Sequence, residues 1–316
     1  MPNVSVLVDS GDLCGEGPLW DAQAGCLYWT DLTGLRFHRY QWETGRHDVV
    51  HSGLEVNGFA LSQDGGFVVT NNSGIWHWNG RDEPLLIAAE ADGVKCQMND
   101  CIADPEGRLF AGSVFYDPQG DYRLGHLIRV DNNGEARVVD EGIHMANGLA
   151  FSPDLNTLYF ADSGARCIYA YHYGRASGDV SRRRVFVRVP NDEGLPDGLT
   201  VDAEGFVWSA QWYGGCVVRY DPGGKEERRV SVPAKQVSSI GFGGPDLSVA
   251  LVTSAARSEP TPIMPAGYDA QNGPFGGQLF RFHAETQGRA EFRARISRPI
   301  LTAGSRQYWN GIGRRP

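Results

Sequence analysis

The chain has 316 residues, 41% of them hydrophobic, and a formal net charge of −9. That acidic balance supplies no basic surface for nucleic acid. The opening stretch MPNVSVLVDSGDLCGEGPLW has neither a basic leader with an apolar core nor a run long enough to span a bilayer.

Composition points to strands. With 41 Gly, 17 Pro, 8 Trp and 12 Tyr, the chain is rich in turns and aromatic side chains, which suits an all-β fold. Its six cysteines (Cys14, Cys26, Cys96, Cys101, Cys167, Cys216) form no CxxC pair. Without an export signal they read as free thiols of a cytoplasmic protein.

In chain order the first element is a lone strand, NVSVLV, at 3–8. Six segments of one pattern follow: EGPLWDAQAGCLYWTD from Glu16, NGFALSQDGGFVVTNN from Asn57, NDCIADPEGRLFAGS from Asn99, NGLAFSPDLNTLYFADS from Asn147, DGLTVDAEGFVWSAQ from Asp197, and SIGFGGPDLSVALVTSA from Ser239. Each opens on a polar residue, usually followed by Gly. An apolar run, an Asp/Gly turn and a second apolar run follow, which predicts a hairpin. The openings recur every 41–50 residues. That period, with paired strands, is the signature of a β-propeller blade.

A third and a fourth strand follow the hairpins: RFHRY then HDVVHS, CIYAYHY then RRVFVRV, CVVRY then ERRVSVP, and QLFRF then AEFRARI. The expectation is an all-β, six-bladed β-propeller with four antiparallel strands per blade. It forms one domain over 1–316, with a core at about 4–297 and a basic, Gly-rich extension at 298–316. The strand at 3–8 would lie at the outer edge of the last blade and help to close the ring. Two insertions interrupt the repeats, at 115–125 in the third blade and at 256–277 in the sixth. Long loops in a compact repeat are commonly functional.

The first strand of each blade lines the channel, so the six opening residues converge: Glu16, Asn57, Asn99, Asn147, Asp197 and Ser239. N-G and D-G dipeptides are ordinary turn formers, and any one of these residues needs no further explanation. As a set in register they place two carboxylates and three carboxamides around a narrow channel. Uncompensated carboxylates there would repel one another and lose hydration. A divalent cation resolves the conflict, and a shell of oxygen donors suits Ca²⁺, Mg²⁺ or Mn²⁺ rather than a structural zinc. The eight histidines show no paired spacing, and His144, near Asn147, reads as a strand residue bonded to backbone. Cys14, two residues before Glu16, reads as a small buried hydrophobe.

LYWTD at 27–31 matches the repeats of extracellular binding propellers, but the equivalents in the other blades are VVTN, FAGS, YFAD, VWSA and LVTS. Only the strand type recurs. No G-x-S-x-G elbow and no strand-linked GxGxxG is present, which removes the α/β-hydrolase and dinucleotide routes.

At GEGPLW (15–20), NDCIADPEGRLFAGS (99–113), ANGLAFSPDLNTLYFADS (146–163), PDGLTVDAEGFVWSAQWYGG (196–215) and GFGGPDLSVALVTSA (241–255), the chain resembles the SMP-30/gluconolactonase/luciferin-regenerating-enzyme-like, or regucalcin-like, sugar lactonases. The resemblance runs over about residues 10–285. It implies one divalent cation in the channel, Ca²⁺ foremost, with Mg²⁺, Mn²⁺, Zn²⁺ and Fe²⁺ as other occupants. By resemblance Glu16, Asn147 and Asp197 are its ligands, Asn99 is a further ligand or substrate contact, and Asp197 is the base. One departure stands out. Many family members carry Arg where this chain has Gln97, which can bond a hydroxyl but cannot hold a carboxylate.

The expected reaction is metal-dependent hydrolysis of an aldonolactone. The cation would polarise the carbonyl, Asp197 or the cation would activate water, and the cation and Asn99 would stabilise the oxyanion. Gln97, Asn99, Asp100, Tyr116, Arg123, Trp212 and Tyr213 are the candidate substrate contacts. Rival readings are a calcium-dependent phosphotriesterase-like or other ester hydrolase on the same propeller, a paraoxonase-type lactonase, for which the necessary His pair is not seen, and a non-enzymatic metal-binding propeller. The expected partner is a small lactone, with no nucleic acid or membrane, and the expected state is a monomer or small homo-oligomer.

Overall fold

The structure is a computed structural model and describes residues 2–114, 123–256, 263–269 and 271–297. Six four-stranded antiparallel sheets form the blades of a propeller. Their inner strands are Gly15–Asp21, Gly58–Leu61, Met98–Ala103, Ala146–Phe151, Leu195–Val201 and Gln236–Gly243. In blades one to five, each strand pairs with the next in sequence. In blade six the order from the inside is Gln236–Gly243, Val249–Ala255, Leu279–His283 and then Ser5–Val8. The N-terminal strand closes the ring, with Ser5 opposite Arg281 and Val6 opposite Phe280.

This corrects one expected strand. AEFRARI is not the outer strand of blade six. Residues 286–297 form a strap across the channel end opposite the ring residues, and the strap touches every blade. Gln287 Nε2 donates to Asp246 O of blade six at 3.1 Å. Gln287 O accepts from Ala203 N of blade five at 2.8 Å. Arg289 donates to Ser152 O of blade four at 3.1 Å. Arg293 pairs with Asp21 of blade one. Ala294 N donates to Leu61 O of blade two, and Arg295 N to Gly107 O of blade three.

Six buried apolar clusters, one for each seam between neighbouring blades, make up the core among the described residues. Strand alternation feeds two seams at once. In Cys26–Asp31, Leu27 and Trp29 enter the seam with blade six, while Tyr28 packs into the seam with blade two. The Asp/Gly turns form as read. Asp202 accepts from Glu204 N and Phe206 N, Gly205 takes φ +87, and Arg219 grips the same carboxylate at 2.7 and 2.9 Å.

The glycines after the ring residues have a different cause from the one read. A Cβ on Gly58 would stand 2.7 Å from Asn99 O, on Gly148 2.2 Å from Leu199 N, and on Gly198 2.1 Å from Ser239 Oγ. These glycines let inner strands of neighbouring blades approach closely and are not turn residues. In five of the six blades the ladder register also shifts at the ring residue: between Glu16 and Leu19, Met98 and Cys101, Ala146 and Leu149, Pro196 and Leu199, and Val237 and Ser239. Such irregularities bend a strand and re-aim its side chains. Among the described residues no helix is long and apolar enough to cross a membrane.

The close approach gives a direct test. Gly148→Ala should lose at least about 3 kcal/mol of stability in denaturant unfolding, because its neighbour is backbone. Gly134→Ala, at φ +89 but facing open space, should lose only about 1 kcal/mol.

Candidate active site and metal centre

The inner strands bring Glu16, Asn99, Asn147 and Asp197 to the wall of one cavity of about 220 Å³ at the open end of the channel. Cys14, Leu32, Met145, Ser163, Leu195, Trp212, Tyr213 and Ile263 complete its lining. The carboxamides are oriented by their neighbours. Asn99 Nδ2 donates to Ala146 O at 2.8 Å and to Asn147 Oδ1 at 3.0 Å. Asn147 Nδ2 donates to Ser163 Oγ at 2.9 Å, and Ser163 Oγ donates to Pro196 O at 2.6 Å. Asn99 therefore spends its Nδ2 on protein acceptors and leaves its Oδ1 for the cavity, while Asn147 Oδ1 accepts from Asn99. Asp197 is only 5% exposed, and its Oδ1 has no hydrogen-bond partner.

The electrostatics are unfavourable as the side chains stand. Burial, followed by the charges of Asp197 and Asp100, raises the Glu16 carboxyl well above its ordinary range. Burial, then Asp100, does the same to Asp197. The Cys14 thiol is raised by burial and next by Glu16. A cation would relieve all three. Asp197, buried with an unpartnered Oδ1, beside the half-buried Glu16 carboxyl and the amide oxygens of Asn99 and Asn147, fits a hard divalent ion. Among the described residues no cluster of three His, Cys, Asp or Glu side chains offers another metal site.

A second cavity, of about 60 Å³, lies further along the channel and is lined by Asp100, Ser239, Leu149, Leu199 and the strap residues Glu291 and Phe292, among others. Space of that size holds a few waters. Burial pushes Asp100 up to about 6. Burial, then Asp100, pushes Glu291 up to about 7 against a smaller opposing effect of Arg289.

The predicted residues therefore divide. Glu16, Asn99, Asn147, Asp197, Trp212 and Tyr213 share the open cavity. Asp100 lines the inner one. Gln97 and Arg123 line neither of these two cavities; Gln97 is half-buried and Arg123 exposed. Tyr116 lies outside the described residues, as does most of the 115–125 insertion. Asn57 donates Nδ2 to Met98 O at 2.9 Å and leaves a buried Oδ1 unpartnered. His144 Nδ1 lies 3.3 Å from Asp162. The histidines do include one pair: His38 and His47 meet at 2.9 Å on neighbouring strands of blade one, beside Asp12 and stacked on Trp29, as part of that blade's interior.

The sequence reading missed Ser163, Leu32, Met145, Leu195 and Ile263. Met145 and Leu195 had a usable signal: each stands two residues before a ring residue, as Cys14 does, so strand alternation places it on the same side.

A sequence model of the SMP-30/gluconolactonase/LRE-like region matches residues 14–256. The chain belongs to the SMP-30/gluconolactonase/LRE-like family. Within that family it is 37% identical over 297 residues to a pentonolactonase of Haloferax volcanii, covering 93% of this chain and 98% of that protein. It is 30% identical to a 6-deoxy-6-sulfogluconolactonase of Pseudomonas putida, covering 90% and 96%. Among solved structures it is similar to regucalcin from Agrobacterium tumefaciens, described as a calcium-binding protein, with 27% identity, a TM-score of 0.76, and 92% and 97% of the two chains covered. That likeness in fold extends over nearly the whole chain.

The inner cavity makes a pH prediction for the metal-stripped protein. Glu291 has a folded-state pKa above its ordinary 4.5. Its contribution to stability is full below about pH 4.5 and is lost as pH rises through about 7. In chelator, the melting temperature of Glu291→Gln should fall less between pH 5 and pH 8 than that of the wild type, as followed by circular dichroism.

Proposed function

We propose that the protein hydrolyses an aldonolactone to the aldonic acid, with a divalent cation held by Glu16, Asn99, Asn147 and Asp197. One observation carries the reading: a buried and a half-buried carboxylate and two carboxamides oriented by their neighbours share the wall of a cavity of small-molecule size. The lactonase names of the relatives support the reaction class, and the calcium-binding description of regucalcin supports Ca²⁺ as first occupant.

A divalent cation in this ring would supply a Lewis acid for the lactone carbonyl and a lowered pKa for a nearby water. The rest of the chemistry falls to the chain. Asp197, buried and with its Oδ1 unpartnered, accepts a proton as water adds to the carbonyl carbon. It then returns that proton to the ring oxygen as the carbon–oxygen bond breaks, and the new carboxylic acid ionises. Asn99 serves as an oxygen donor and not as the oxyanion's hydrogen-bond donor, since its N–H groups are committed to Ala146 and Asn147. Leu32, Met145, Leu195 and Trp212 keep bulk water from the reacting carbon and strengthen the charges inside.

The test is proton release from a panel of aldono-1,4- and 1,5-lactones by chelator-stripped protein, with Ca²⁺, Mg²⁺, Mn²⁺, Zn²⁺ or Fe²⁺ added back. Turnover should return with metal. Asp197→Asn should lower kcat about 10²–10⁴-fold. No turnover with metal demonstrably bound overturns the lactonase reading.

Ser163 gives an independent check on the metal site. Ser163→Ala frees the Asn147 amide to turn, and calorimetric titration should show Ca²⁺ affinity reduced by about 10- to 100-fold.

A further inference from the structure

The Asp that ends LYWTD recurs once among the six hairpins, in YFAD of blade four. Asp31 and Asp162 each close the second strand of their blade, opposite the residue just before the ring residue. Asp31 faces Gly15, and Asp162 faces Ala146. Both are fully buried, and both make the same contacts. Asp31 Oδ1 accepts from Cys14 N at 2.9 Å, and Leu32 N donates to Cys14 O at 2.9 Å. Asp162 Oδ1 accepts from Met145 N at 2.9 Å, and Ser163 N donates to Met145 O at 2.9 Å. Cys14 and Met145 stand two residues before Glu16 and Asn147 and line the same cavity. Each carboxylate therefore clamps the backbone that leads into one ring residue.

Other blades fill the position differently. In blade three Val114 N still donates to Gln97 O at 3.0 Å, but Ser113, opposite Met98, accepts from His126 N, and Gln97 N donates to Lys95 O. In blade five Gln211, opposite Pro196, donates Nε2 to Ser209 Oγ. In blade two Asn71 accepts from Ser73 N and Trp76 Nε1. The blade thus forms with Asn, Ser or Gln here, and folding alone does not call for a carboxylate.

A buried charge is costly unless hydrogen bonds or a counter-charge compensate it. Asp31 has both. Gly34 N donates to its Oδ1 at 2.9 Å, and Arg36 reaches its Oδ2 through Nε and Nη2 at 3.0 and 2.7 Å. Burial opposes the charged form, but Cys14 N and then the Arg36 guanidinium hold the Asp31 carboxyl below its ordinary range. Asp162 is held chiefly by backbone, with Ala165 N on Oδ1 at 3.1 Å and His144 N on Oδ2 at 3.0 Å, and His144 Nδ1 lies 3.3 Å away. Backbone N–H groups bound to a carboxylate are held more firmly than by a neutral acceptor.

Blades one and four face each other across a ring of six, so the two clamps act from opposite sides of the channel. We infer, on the basis of the metal-site reading above, that Asp31 and Asp162 are positioning residues that fix Glu16 and Asn147 for the cation, acting through the backbone of Cys14 and Met145. Neither carboxylate touches the ion. Each limits how far its oxygen donor can drift from it.

The experiment is calorimetric titration of the chelator-stripped full chain with Ca²⁺, with the fold followed by circular dichroism. Asp31→Asn and Asp162→Asn should fold, because Asn71 fills this position in blade two, and should bind Ca²⁺ about tenfold more weakly. Asp162→Ala, which keeps no acceptor, should lose more, up to about 100-fold. Asp202→Asn is the control. That carboxylate is equally buried and holds a turn and Arg219 at the strap end of blade five. Its variant should melt at a lower temperature with Ca²⁺ affinity unchanged. Folded Asp31→Asn and Asp162→Asn with wild-type affinity overturn the inference, and so does an equal loss of affinity in Asp202→Asn. Failure of both Asn variants to fold also overturns it, since the carboxylates would then serve the fold alone. A wild type that takes up no Ca²⁺, Mg²⁺ or Mn²⁺ overturns the metal-site reading itself.

Discussion

Two carboxylates, Glu16 and Asp197, are held out of bulk water at the open end of the channel, each raised by burial and by nearby negative charge. An isolated chain would avoid that arrangement. It persists because the ring of blades fixes the two residues from opposite directions in sequence, one near the start of the chain and one in blade five. The stability of the scaffold, distributed over six apolar seams, is what opposes the repulsion. A cation placed among these oxygens would turn the destabilising cluster into a binding site, so the site and its cost have one source.

The geometry that sustains this cluster is set by residues with little side chain. Gly58, Gly148 and Gly198 let inner strands of adjacent blades come within backbone contact of one another, and the irregular register beside the ring residues aims polar groups at the channel. Asn147 shows how the pieces combine. Its glycine neighbour draws blades four and five together, and Ser163 bridges from its amide to Pro196 on the far side of the same seam.

Much of this was legible in the sequence because repetition is a strong signal. One polar residue recurring at the head of six hairpins marked the channel, and four of the six line the open cavity. The reason for the glycines was not legible, since N-G and D-G look the same whether they serve a turn or a close contact between blades. AEFRARI misled for a physical reason. Its alternation is real, with Ala294 and Ile296 buried in a seam while Arg293 and Arg295 reach polar partners. A strap laid over the blade turns needs the same two-sided pattern as a strand. Asp100 was read as a candidate substrate contact, but it is the strand neighbour of Asn99, and alternation sends the two to different cavities. Ile263 has no periodic signal because its insertion occurs once.

The outer strand of blade six has a consequence for how the protein comes to be made. Its residues, Ser5–Val8, are synthesised before the rest of the propeller, and their partner Leu279–His283 follows some 270 residues later. The bond from Ser10 Oγ to Gly277 O spans a separation of 267 residues. Closing so long a loop is slow. Until it closes, Trp20, Leu27 and Trp29 of blade one lack the blade-six face that covers them. A nascent chain therefore carries an uncovered aromatic surface through most of its synthesis, a stage at which chaperone capture and misassembly compete with ring closure.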